Sequence, residues 1–230
     1  MTAMRSRCRL ATLAAVGALA AAASAQDFKF SRPDGAAVAA EAAREARIAE
    51  QLSTPCRAGI KDKKIVVMIG ERQSNGYVSA EQQNYGPHFQ AINGRLRALG
   101  LRTYTPEEIR KQIAQAEIDA YFRNDPDAAL AAARKLGASF VLRGLISAQA
   151  SVNPLMPVNQ VVVAMGFTLS EASGRVVSDV DASSSSYAGA DVARMALTLV
   201  NENADDVVAR LYADYCSNAG GPAPARAAPR

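Results

Sequence analysis

Lys64-Ile65-Val66-Val67-Met68-Ile69-Gly70 is the stretch that decides the fold. It is a short, unbroken apolar run between Lys63 and Lys64 on one side and Glu71 and Arg72 on the other. A strand with one wet face alternates apolar and polar residues, whereas a continuous run is the pattern of a strand covered on both faces. Beyond it, residues 71–86 (ERQSNGYVSAEQQNYG) are polar and read as a long surface loop. Pro87 then opens a helix whose Phe89, Ile92, Leu96 and Leu99 recur at spacings of three and four, and Gly100 ends it. Leu101–Tyr104 reads as a brief second strand. Thr105-Pro106-Glu107-Glu108 carries an N-cap, a first-turn proline and the glutamate of a capping box. The helix it starts is expected to line one face with Ile109, Ile113 and Ala116.

Asp125-Pro126-Asp127 starts another helix, with Leu130, Ala133 and Leu136 inward and Gly137 as its stop. Three strands follow, at Ala138–Ala148, Gln160–Ser170 and, past the Ser173-Gly174 turn, from Arg175 to about Ala182. A last helix spans about Asp191 to Tyr215, with a bend expected at Asn201-Glu202-Asn203. Strand–helix alternation in the first half implies parallel crossovers, and the later hairpins imply antiparallel pairs. The expected class is therefore α/β (α+β): a mixed sheet of four to five strands with helices packed on it.

On the N-terminal side, residues 26–55 form an extended lead-in and an Ala-rich helix, Ala36–Leu52, which Asp34 can cap. Residues 56–216 read as one α/β domain, and 217–230 (SNAGGPAPARAAPR) as a disordered Pro/Ala tail. Residues 1–25 combine Arg5, Arg7 and Arg9, an apolar run from Leu10 to Ala23, and the small-residue site Ala23-Ser24-Ala25. That is the layout of a cleavable secretory signal, with the mature chain starting at Gln26. The other reading is a retained anchor, but the run is shorter than the roughly 20 apolar residues a spanning helix needs. Cys8 precedes the run, so it is not a lipidation cysteine at the cleavage site. Cleavage leaves 23 basic against 22 acidic residues. With no basic stripe visible, nucleic acid is not an expected partner.

Cys56 and Cys216 remain after cleavage. In the oxidising surroundings of an exported chain they read as a disulfide between the two ends of the domain; two separate buried thiols are the alternative. Two distant cysteines and a single histidine supply no metal-ligand cluster, and no cofactor motif is present. His88 is the only histidine, so neither a Ser-His-Asp nor a Cys-His arrangement has a spare base; it reads as a surface or capping residue. Glu107/Glu108 and Asp205/Asp206 read as solvated helix faces. Glu71 and Arg72 leave a buried strand at its C-terminal end, where open α/β sheets bind ligands, so an acid/base role stands there beside a plain surface pair. Arg143, inside an apolar strand, reads as facing solvent, pairing with Asp179 or Asp181, or anchoring a ligand. Two segments suit partner binding: Tyr77 and Tyr85 in the polar loop, and Leu155, Met156 and Val158 in the proline-flanked stretch at 153–159.

The order of these pieces resembles a superfamily of bacterial envelope α/β domains. It includes the curli-secretion channel subunit, the lipoprotein activators of penicillin-binding proteins, flagellar accessory lipoproteins and the N-terminal domain of the Tol-system propeller protein. The resemblance runs from Ile65 to Leu211 through KIVVMI, GRLRALG, LRTYTPEEI, ARKLGASFVLRGLIS and VVVAMGFTLSEASGRVV. Two departures are plain. There is no lipid-anchor cysteine, and the stretch holding Pro154 and Pro157 is too short for the channel's membrane-spanning hairpin. The resemblance implies an exported, non-enzymatic accessory protein of the periplasm or cell surface that binds envelope proteins, with self-association left open. The alternative is a periplasmic hydrolase or ligand-binding enzyme using carboxylates of the 71–86 loop.

Overall fold

The computed structural model describes residues 34–72, 78–79, 86–122, 126–152, 158–189 and 191–218. Its centre is a mixed sheet in the order β2-β1-β4-β5-β6, with the short β3 also paired to β1. Strand β1 (Lys64–Arg72) runs parallel to β4 (Phe140–Val152), from Ile65 opposite Phe140 to Arg72 opposite Ser147. Strands β4, β5 (Asn159–Glu171) and β6 (Val176–Ala188) form an antiparallel meander.

The continuous apolar run of β1 is explained by two helical layers. Ile65, Val67 and Ile69 point to one face, where they meet helices α3 (Pro87–Ala98) and α7 (Val192–Asn218). Val66 and Met68 point to the other, where they meet α4 (Pro106–Gln112), α5 (Gln115–Phe122) and α6 (Pro126–Leu136). The first layer is extensive: α7 lies along β6 and β5, α3 packs beside α7, and α1 (Gly35–Ser53) leans on α7 from outside. The second layer covers only the start of β1 and β4.

Local signals act where expected. The Ala36 N–H donates to Asp34 Oδ1 at 3.2 Å. The capping box is complete, with the Glu108 N–H on Thr105 Oγ1 at 3.2 Å and the Thr105 N–H on Glu108 Oε2 at 2.8 Å. Gly100 and Gly137 end their helices at φ 102° and 64°, which a side chain would resist.

Four readings need correction. The supposed loop at 71–86 is not all loop: β1 continues through Glu71 and Arg72, and β2 (Val78–Ser79) pairs antiparallel with them. The charges that seemed to end the strand sit on its solvated tip. The helix after Thr105 is two helices, because Ile113 is extended (φ −123°, ψ 122°) and buried. No glycine or proline marks that break; it lets Ile109, Ile113 and Ile118 all enter one cluster. β6 runs on to Ala188 rather than stopping near Ala182, since pairing with β5 overrides the weak strand propensity of four serines. Helix α7 is unbroken through Asn201-Glu202-Asn203; the amides of Asn201 and Asn203 donate back to the carbonyls of Leu197 and Leu199 at 3.0 and 2.8 Å. A short helix, α2 (Arg57–Ile60), also forms where none was read. The signal segment and the tail beyond Asn218 lie outside the described residues.

Candidate functional site

The C-terminal end of β1 brings two of the singled-out residues together. The Glu71 carboxylate meets His88 Nδ1 at 2.8 Å, tying the strand tip to the first turn of α3. Among the described residues Glu71 is the one polar partner of His88. That hydrogen bond holds the Glu71 carboxyl below its ordinary value; partial burial opposes the shift and the charge of His88 adds to it. Glu71 remains about half exposed, at 47%. A carboxylate and the imidazole it orients supply two of the three members of a catalytic triad, and no hydroxyl or thiol is hydrogen-bonded to His88 among the described residues. Arg72, beside it, is exposed and points to the opposite face.

The other charged candidates are structural. Asp205 takes a two-pronged hydrogen bond from Arg95 at 2.7 and 2.8 Å, which locks α3 to α7 and holds its carboxyl below the usual range. Asp206 pairs with Arg47 of α1 and Arg210 of its own helix. These carboxylates therefore bind helices together and are not merely solvated faces. Glu108 belongs to its cap, whose hydrogen bond from the Thr105 backbone lowers its pKa. Arg143 is half-buried in one cross-strand row with Thr168 and Asp179. Cys56 and Cys216 form a disulfide, Cα atoms 5.7 Å apart, between the start of α2 and the end of α7. No three His, Cys, Asp or Glu side chains among the described residues could hold a metal ion. Of the partner-binding candidates, Tyr77, Tyr85, Leu155 and Met156 lie outside the described residues. Val158 is described, and it is exposed just before β5.

Sequence reading missed a surface. In β5, Val161, Val163, Met165, Phe167 and Leu169 are buried under α7 and α3, while Val162 and Ala164 between them are exposed. On that second face the far half of the meander has no helix over it among the described residues. An open trough of about 470 Å³ runs there. Ala164 and Gly166 form its floor, with Arg72, Leu145 and Ser147 toward one side and Asp181 and Ser183 toward the other. Exposed Val162 and Tyr187 continue the surface toward the end of the meander. The signal was present as alternation: bulky residues at odd positions of β5, and Val162, Ala164 and Gly166 at even ones. Such a pattern reads equally well as a strand with small residues under a close-packed helix.

No protein-family model matches the chain, and no curated protein does. Solved structures similar to it include the PelC dodecamer from Paraburkholderia phytofirmans (19% identity, TM-score 0.39, 66% of this chain and 88% of that one). The LpoB C-terminal domain from Salmonella enterica shows 16% identity and a TM-score of 0.39, over 61% of this chain and 94% of that one. Lipoprotein GNA1162 from Neisseria meningitidis shows 14% identity and a TM-score of 0.36, over 62% and 99%. At these low scores and identities the likeness carries no functional weight for this chain.

Proposed function

We propose that the chain is an exported, non-enzymatic accessory protein of the bacterial cell envelope that works by binding other envelope proteins. The export reading rests on residues 1–25, and no described helix is long and apolar enough to cross a membrane. The observation that carries the binding role is the uncovered far half of the β4–β6 meander. It presents Val162, Ala164 and Tyr187 to solvent on an open sheet face, a surface suited to protein contact. Val158, exposed just before β5, lies at the same end of the meander, and Leu155 and Met156 precede it in sequence.

The test is site-specific photo-crosslinking in intact cells, with the crosslinker at Gln149 or Val162 on the open face and at Arg134 on α6 as control. The expected result is a discrete adduct with another envelope protein from the first two positions and none from Arg134. Equal labelling at all three, or none, would reject the surface. A second reading, a hydrolase, is favoured by the Glu71–His88 contact alone. Turnover abolished by both Glu71→Gln and His88→Ala, with melting unchanged, would establish it instead.

A further inference from the structure

The two edges of the sheet are finished differently. On the β1 side, β2 and β3 (Arg102–Thr103) pair with the strand's two ends. On the other side β6 is the outermost strand along its whole 13 residues. An outermost strand presents a row of unpaired N–H and C=O groups that can template another strand. Helix α7 occupies the first half of that row. Arg210 Nη2 donates to the Asp181 carbonyl at 2.9 Å, and Asn218 Nδ2 to the Val177 carbonyl at 2.9 Å. The exposed Asp179 and Asp181 stand on the same half. The second half, Ala182–Ala188, has no charge and no proline.

Which backbone groups face outward follows from the pairing. Residues of an antiparallel strand alternate between those that exchange both bonds with the neighbour and those that turn both groups away. Asp181 belongs to the second set, since Arg210 takes its carbonyl. A Cβ added to Gly166, its opposite number on β5, would come within 2.8 Å of the Asp181 carboxylate, the close side-chain approach of a non-hydrogen-bonded pair. Counting in twos, Ser183, Ser185 and Tyr187 turn their N–H and C=O groups outward. Among the described residues no hydrogen bond satisfies these groups. The side chains of Ser183, Ser185 and Tyr187 are exposed, and a space of about 370 Å³ separates Ser184 on β6 from Glu41 and Arg44 on α1.

We propose that Ala182–Ala188 of β6 is a homodimer interface, two copies pairing antiparallel about a two-fold axis at Ser185 and joining their sheets. The segment is complementary to itself. In that register Ser183 lies opposite Tyr187, so the exposed phenol ring covers a small side chain of the second copy. Asp181 lies opposite Gly189 of the second copy. Sliding the axis to Asp181 would set the two aspartates directly opposite each other, which is repulsive. The aspartates and the α7 caps thus confine pairing to the serine half. The inference rests on this edge and not on the proposed envelope function.

Sedimentation velocity of the chain from Gln26 onward tests it, at about 100 μM, where a micromolar contact is saturated. The wild type is expected to be a dimer. Ser185→Pro removes an outward N–H and spares the β5 ladder, so it should weaken dimerisation at least about tenfold while the melting temperature at dilution, where both proteins are monomers, stays unchanged. Ser185→Cys should crosslink between copies on oxidation, because the axis places residue 185 about 5.5 Å from itself. Ser183→Cys should not. A monomeric wild type would leave the edge to another protein's strand and overturn the inference. So would equal crosslinking from both cysteine variants, which also decides the matter if Ser185→Pro fails to fold.

Discussion

The two faces of β5 differ in how they are covered among the described residues. One face is buried along its length, Val161 and Val163 as fully as Phe167. The other is half-buried at Gly166, Thr168 and Ser170 and exposed at Val162 and Ala164, with no helix over it among the described residues. The strands are longer than the second helical layer needs. Stability is therefore concentrated on the α3/α7 face and at the β1 end, while the far half of the second face stays exposed among the described residues.

The sharpest way to break this contrast is at its strong side. Changing both Cys56 and Cys216 to Ser removes a bridge spanning 160 residues. The expected loss is about 5 kcal/mol in the chain-entropy model, read by urea unfolding with and without reductant. Phe167→Ala empties the centre of the covered face and should cost about 3–5 kcal/mol. Gly144→Ala probes the same spot from the neighbouring strand β4. Its Cβ would sit 2.4 Å from Phe167 Cε1, so overpacking should cost about 1–3 kcal/mol, and pairing it with Phe167→Ala should recover part of that.

The smallest effect belongs to the strand tip. Glu71 has its pKa depressed in the folded state, so its contribution is present above the ordinary carboxylate pKa and fades as pH falls through the folded value. Glu71→Gln should therefore cost stability at neutral pH and converge with wild type in acid. At a half-exposed site the neutral-pH difference should be about 0.2–1 kcal/mol. An undiminished difference in acid would mean the carboxylate's charge is irrelevant there.

Much of the fold was legible because local signals and burial agree. The unbroken apolar run of β1 required two covered faces, and Thr105 with Glu108 marked a helix start that tertiary packing had no reason to move. The break at Ile113 was not legible: its cause is a shared cluster with Ile118, which no neighbouring residue announces. β6 was read short because serine is a weak strand former, and its partner residues lie about 25 positions away on β5. The Glu71–His88 contact joins residues 17 apart through a strand and a helix start, so only the fold could reveal it. The open face was hidden for a related reason. Small alternating residues do not say whether a helix covers them.

Val162 and Val163 are adjacent, chemically identical and on opposite faces of β5, so the two alanine variants isolate coverage from everything else. Val163→Ala should lose about 2 kcal/mol, two methyl groups plus part of a cavity. Val162→Ala should stay within about 0.5 kcal/mol of wild type, the scale of a surface change. Losses of equal size at the two positions would show that both faces of the far half are covered and would contradict the open surface.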